Sequence, residues 1–176
     1  MFRWPDGYPD VPALRRYRGR PIAEVEQAAR RAFLLSILFM FVGATLFAEA
    51  ILGFLPGLGF AERFAILIPA MVLFFVGVLL GAMWNFLDSA LYRAPPPRLD
   101  GAHEPQAWVA IHAVVASVGG VTTAFLIGLA QALYPQDPSA VLLAIAATLA
   151  ATLGGLVLVE ARRRHRRLVP LALHPR

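Results

Sequence analysis

Four long apolar stretches account for most of this 176-residue chain, and they restrict the environment in which it can fold. A bilayer core about 30 Å thick is crossed by about 20 consecutive, predominantly apolar residues in helical form. Three of the stretches contain no Asp, Glu or Arg, and the first contains only Glu49. We therefore expect an all-α, polytopic membrane protein, a four-transmembrane-helix bundle made of two hairpins. The predicted spans are residues 32–54, 64–87, 107–134 and 139–159.

The segments outside the spans are an N-terminal arm, residues 1–31, and a basic tail, residues 162–176. Prolines among aromatic and charged residues disfavour regular structure at the start of the arm, so we expect it to become ordered on contact with a partner. From Pro21 onward, apolar residues share one face of a short amphipathic helix. A direct continuation into the first span would exceed the bilayer thickness, so this helix either bends into the interface or projects from it.

The distribution of positive charge predicts the orientation in the membrane. All sixteen basic residues are arginines, and every one except Arg63 lies in the arm, in the loop between the second and third spans, or in the tail. Arginine-rich loops stay on the cytoplasmic side during insertion. We therefore predict a bacterial inner-membrane protein with both termini in the cytoplasm, and the exclusive use of arginine suggests a GC-rich genome.

The residue inventory excludes several kinds of chemistry. Because the chain has no Cys, thiol redox chemistry, thiolate metal sites and internal disulfides are excluded. No Ser-His-Asp triad, phosphate-binding loop or metal-ligand cluster stands out. We therefore predict that the protein is not an enzyme and has no metal and no resident cofactor, whereas bound lipid is expected.

Small residues at four-residue spacing predict sites of close helix packing, because small side chains let two backbones approach inside lipid. The second and third spans carry such rows, and the fourth has Ala140, Ala144, Thr148 and Thr152 as well as Ala147, Ala151 and Gly155. These rows pack either within the four-helix unit or against a neighbouring subunit. The predicted helix-packing interface comprises Gly77, Gly81, Ala116, Gly120, Ala124 and Gly128.

Glu49 is the one carboxylate inside an apolar stretch, and such residues are costly and often functional. Arg63 lies at a similar depth at the start of the second span, so an ion pair across the first hairpin is one interpretation. A protonatable coupling site is the other. A Glu in the first of four helices is similar in outline to the small multidrug transporters, and the resemblance covers this residue and the helix count.

A second polar group is predicted near the cytoplasmic face, where the second span ends and the third begins. It consists of Asn85, Asp88 and Ser89 on one helix and His112 on the other. A His and an Asp could hydrogen-bond the headgroup of a quinone or pigment, or they could simply satisfy each other. Nearby, Trp84 is expected to act as an anchor in the membrane interface.

The basic tail is predicted to contact anionic lipid headgroups, which attract each nearby arginine by about 1 kcal/mol. Nucleic acid is not an expected partner, because the basic run lies against the bilayer and also serves as the topological anchor. The predicted headgroup contacts are Arg162, Arg163, Arg164, Arg166 and Arg167.

These features favour a non-catalytic accessory subunit of a larger bacterial membrane complex, in particular one of respiratory or photosynthetic energy conversion. Other membrane subunits would then be its partners. One alternative is a transporter component: four spans, both ends inside and Glu62 at the start of the second span are similar in layout to the small membrane subunit of tripartite (TRAP) transporters. Another is an autonomous proton-coupled carrier that uses Glu49.

Overall fold

The computed structural model describes the chain as helices with no strand among the residues it covers. The backbone is described for residues 1–3, 12–53, 57, 59–91 and 104–172, and the side chains of 104–108 and 162–172 lie outside the description. A short 3-10 helix, Pro12–Tyr17, precedes four long helices. They are α1 (Ile22–Leu52), α2 (Phe60–Leu91), α3 (Glu104–Leu133) and α4 (Pro138–Ala172).

All four long helices are apolar and long enough to cross a membrane, so the chain is a multi-pass membrane protein of the all-α class. They contain 30 to 35 residues each. At 1.5 Å per residue that is about 45–52 Å, more than the hydrocarbon thickness. The predicted amphipathic helix is continuous with the first span, because α1 runs without interruption from Ile22 to Leu52.

α1 is the central helix of the bundle. It packs against α2 along most of its length and against α3 on another side, whereas α4 packs mainly against α3. Residue 43 of α1 lies beside residues 70 and 74 of α2, and residue 36 lies beside residues 77 and 81, so the two helices are antiparallel. The resulting order in space is α2, α1, α3, α4, which differs from the order in the chain.

Glycines create the closest contacts of α1. A Cβ at Gly43 would lie 2.7 Å from the amide nitrogen of Phe74 and 2.8 Å from the carbonyl oxygen of Ala70. On α3, a Cβ at Gly120 would lie 2.8 Å from the carbonyl oxygen of Phe41. Non-bonded heavy atoms do not approach so closely, and the helix backbones therefore meet only because these side chains are absent.

The described part of the N-terminal arm is folded onto its own chain. The Phe2 amide donates to the Arg20 carbonyl at 2.7 Å, and the Gly19 amide donates to the Phe2 carbonyl at 3.1 Å. Phe2 and Leu14 are buried in a core with residues of α1 and α2, including Val25. The described residues of the arm cover the end of the first hairpin at which α1 begins and α2 ends, and ordering of the arm on a partner stays a prediction.

Local signals at two helix ends agree with the sequence. Gly53 ends α1 in the left-handed conformation at φ 65°, and its amide donates to the Glu49 carbonyl at 3.1 Å. Before α4, Asp137 Oδ1 accepts the Ser139 amide at 2.9 Å and the Ser139 hydroxyl at 2.5 Å. These bonds lower the pKa of Asp137 below its ordinary value, chiefly through the hydroxyl, because they stabilise the carboxylate.

We predict that Gly43→Ala destabilises the protein by about 1–3 kcal/mol, because its methyl group would overlap the α2 backbone at a site that cannot expand freely. Gly155→Ala is the matched control: a Cβ there meets nothing within 4 Å, and alanine favours a helix over glycine by up to about 1 kcal/mol. Thermal unfolding of both variants in the same detergent measures the difference. Equal midpoints would show that the two helices do not approach through Gly43.

Candidate functional site

Buried polar side chains gather at the end of the bundle where α2 ends and α3 begins. Asn85, Asp88 and Ser89 on α2 and His112 on α3 are all buried. The antiparallel α1 and α2 and the parallel α1 and α3 bring the end of α2 beside the start of α3. The sequence predicts that these four residues lie at one depth. In the structure they lie in the same part of the interior.

Two aromatic rings, Phe33 of α1 and Trp84 of α2, pack against the imidazole of His112 on α3. Its ring centroid lies 5.0 Å from that of Trp84 and 5.5 Å from that of Phe33, both in edge-on arrangements. Phe33 and Trp84 are 4.9 Å apart and complete the group. Such tilted and edge-on pairs are the favoured geometries of aromatic rings. The group therefore ties α1, α2 and α3 together at this level.

The predicted role of Trp84 as an interfacial anchor is wrong. Its side chain is 1% exposed, and it is the largest side chain among those that are fully buried. The sequence showed a Trp at the right depth but could not show which side of α2 faces α1.

Glu160 on α4 is a buried carboxylate that the sequence analysis did not single out. Thr123 donates to Thr148 at 2.7 Å, and a Cβ at Gly119 would collide with the hydroxyl of Thr152. This antiparallel register places Glu160 level with His112. The only sequence signal for it was its position just before the arginine run, which suggested the interface instead.

The chemistry available at this cluster of buried polar side chains is hydrogen bonding. Asn85, Asp88 and His112 each take part in polar or ring contacts, and the Ser89 hydroxyl, fully buried, has no hydrogen-bond partner among the described residues. Within the part of the chain that the structure describes, His, Asp and Glu side chains do not converge in threes as metal ligands. The quinone or pigment site predicted for His112, Asp88 and Asn85 stays a prediction.

Glu49 lies at the opposite end of the bundle. Its side chain is 3% exposed, so it is held inside the protein and does not reach the interface. Arg63 of α2 is half-buried, and its guanidinium packs against Gly53, where a Cβ would collide with it. A cation therefore sits at the C-terminal end of α1, where the last carbonyl groups carry partial negative charge.

The residues of the predicted helix-packing interface pack against other helices of the same chain. A Cβ at Gly77 would lie 2.7 Å from the Met40 amide nitrogen, and one at Gly81 would lie 2.9 Å from the Ser36 hydroxyl. Ala116 and Ala124 of α3 are fully buried, on the same row as Gly120. Gly128, the last member of that row, is half-buried.

The outer surfaces of α2 and α4 differ in side-chain size. Exposed residues of α2 are large and apolar, as expected of a lipid-facing helix: Phe64, Ile68, Met71, Val72, Phe75 and Leu79. Between the exposed Leu142 and Leu143 at one end and Val157 and Leu158 at the other, the side of α4 turned away from α3 exposes only small residues along three turns. We call this the α4 outer face: Ala146, Ala147, Ala150, Ala151, Gly154 and Gly155.

The basic tail continues α4. The backbone is helical through Ala172, so the arginines follow the span without a turn. The side chains predicted to contact lipid lie outside the described residues: Arg162, Arg163, Arg164, Arg166 and Arg167. Their contact with anionic headgroups stays a prediction.

No protein-family model matches the chain, and no curated protein or solved structure matches it significantly. Proposals about function therefore rest on the residues and their geometry. The two features that they must explain are the buried polar groups at both ends of the bundle and the small-residue outer face of α4.

We predict that Glu49 and Arg63 are energetically coupled. If they form a buried pair, removing one partner leaves an uncompensated charge at a cost of about 3–5 kcal/mol, whereas removing both does not. Glu49→Gln and Arg63→Gln should each lower the unfolding midpoint in detergent, and the double variant should lose less stability than the two singles combined.

The control for this cycle is Glu62→Gln combined with Arg63→Gln. Glu62 is exposed and accepts a hydrogen bond from the Gly59 amide, so its loss should add simply to that of Arg63. Strict additivity in the Glu49 cycle as well would contradict the pair.

Proposed function

We propose that this protein is a non-catalytic subunit of a larger membrane complex in the bacterial inner membrane and that α4 docks it to a neighbouring subunit. The observation that carries the proposal is the α4 outer face. Lipid tails gain little contact from alanine and glycine, whereas a partner helix can approach them closely. A row of small residues along three turns therefore suits a helix better than lipid.

The contrast within the chain supports this assignment. Inside the bundle, the close approaches occur at glycines, such as Gly43 and Gly120. Where the chain faces outward on α2, the exposed positions are large, such as Phe75 and Leu79. The α4 outer face carries small residues like those at the buried helix contacts, but it is exposed like the lipid-facing positions of α2.

The orientation we propose has both termini in the cytoplasm. It is supported by the arginines of the arm and tail, which lie beyond the same end of the bundle as α2's last turn. The buried polar cluster and the folded arm then stabilise the cytoplasmic end. That the complex is one of energy conversion is a proposal from the sequence alone, and the transporter alternatives likewise stay predictions.

We predict that the double variant Ala150→Leu with Gly154→Leu loses its partner. Two isobutyl groups on the α4 outer face would hold a neighbouring helix away from the backbone of α4. Ala65→Leu is the matched control, because Ala65 is also exposed but lies among the large residues of α2. The measurement is co-purification of stoichiometric polypeptides from native membranes in a mild detergent.

Wild-type protein and Ala65→Leu should retain the same partner subunit, and the α4 variant should be recovered without it. A wild-type chain that elutes as a lone monomer would refute the proposal. So would a homodimer with no second polypeptide, because it would assign the α4 outer face to self-association.

A further inference from the structure

A groove of about 410 Å³ lies at the cytoplasmic end of the first hairpin, between the 3-10 helix, α1 and α2. Its volume is within the range of about 300–1,000 Å³ that is usual for small-molecule sites. We call it the arginine groove, because its polar wall carries Arg16, Arg20 and Arg31. Together with Glu24, the one carboxylate in the lining, these residues leave two net positive charges.

The arginines of the groove are not neutralised by strong ion pairs. Arg20 and Glu24 are 3.8 Å apart with both side chains largely exposed, an arrangement that contributes little. Arg31 has no carboxylate partner among the described residues, although its neighbour Arg30 pairs with Glu26 at 2.6 Å. Arg31 therefore presents its charge to the groove.

Arg16 is oriented by its neighbour. Its guanidinium lies 5.0 Å from the ring centroid of Tyr17 and donates to the Tyr17 hydroxyl at 3.1 Å. The buried side chain of Leu14 anchors the 3-10 helix that carries both residues. Arg16 is thus positioned in the polar wall before any ligand arrives, which reduces the entropy lost on binding.

The other wall of the groove is apolar and leads into the membrane. Leu35 lies one helical turn inside the first apolar stretch and is 43% exposed, and Leu80 and Met83 of α2 stand opposite it. From the cytoplasm toward the bilayer, the groove therefore offers guanidinium groups and then hydrocarbon. A phospholipid presents its phosphate and its acyl chains in that same order.

We propose that the arginine groove is a binding site for one anionic phospholipid of the cytoplasmic leaflet. The phosphate lies among Arg16, Arg20 and Arg31, and the upper acyl chain packs on Leu35 and Leu80. Guanidinium groups bind phosphate through paired hydrogen bonds as well as charge. The lipid joins the folded arm to the transmembrane hairpin.

Native mass spectrometry of the delipidated full-length protein, titrated with chain-matched phosphatidylglycerol and phosphatidylcholine, tests the site. We expect one phosphatidylglycerol to bind roughly tenfold or more tightly than phosphatidylcholine, as expected from arginines at a membrane surface. The triple variant Arg16→Gln, Arg20→Gln, Arg31→Gln should lose this preference. The control triple variant Arg3→Gln, Arg18→Gln, Arg30→Gln removes the same charge outside the groove and should keep it.

Equal losses in the two triple variants would overturn the site and leave only a general charge effect. Displacement of the lipid by excess glycerol phosphate would also overturn it, because the acyl chain would then contribute nothing. Should the first triple variant fail to fold, Arg31→Gln alone decides: it should weaken phosphatidylglycerol binding about fivefold, and unchanged binding would refute the proposal.

Discussion

The bundle depends on the close approach of helix backbones at glycines of α1, α2 and α3. Inside lipid, burying apolar side chains gives no net drive toward association, because the hydrocarbon outside is equally apolar. What remains is packing, and packing improves as the backbones come nearer. Gly43, Gly77 and Gly120 let α1 touch both α2 and α3, and for this reason α1 is the centre of the fold although it is first in the chain.

The two ends of the bundle differ from this centre, because they contain buried polar groups. Each buried polar group in a membrane interior needs a compensating contact, since no water is at hand. At the end where α1 begins, the rings of Phe33, Trp84 and His112 pack together next to the core that the folded arm covers. At the opposite end, Arg63 packs against Gly53, four residues after the buried Glu49. Between the two ends, buried small residues and threonines lie beside larger core residues such as Ile37, Met40 and Phe41.

Much of the architecture could be predicted from the sequence, because hydropathy directly reports the solvent. The four helices, the αL glycine end of α1 and the Asp137 cap follow from local residue types. Helix faces did not follow, since an apolar span shows little contrast between its sides. Trp84 was therefore assigned to the interface although it is buried. Phe2 packs against residues of the first hairpin that are distant in sequence, and no local sequence pattern predicts this contact.

We propose α4 as a docking surface because small residues that allow close helix approach in the interior also lie on its outside, and oxygen accessibility in native membranes tests this proposal directly. The chain has no cysteine, so a spin label can be placed without competing thiols at two exposed leucines, Leu158→Cys on α4, one turn beyond Gly154, and Leu79→Cys on α2. We predict that the α2 label is accessible to dissolved oxygen both in membranes and after purification. The α4 label should be shielded in membranes and become accessible only after the neighbour is removed. Equal accessibility of both labels in native membranes would contradict the docking of α4 to a neighbouring subunit.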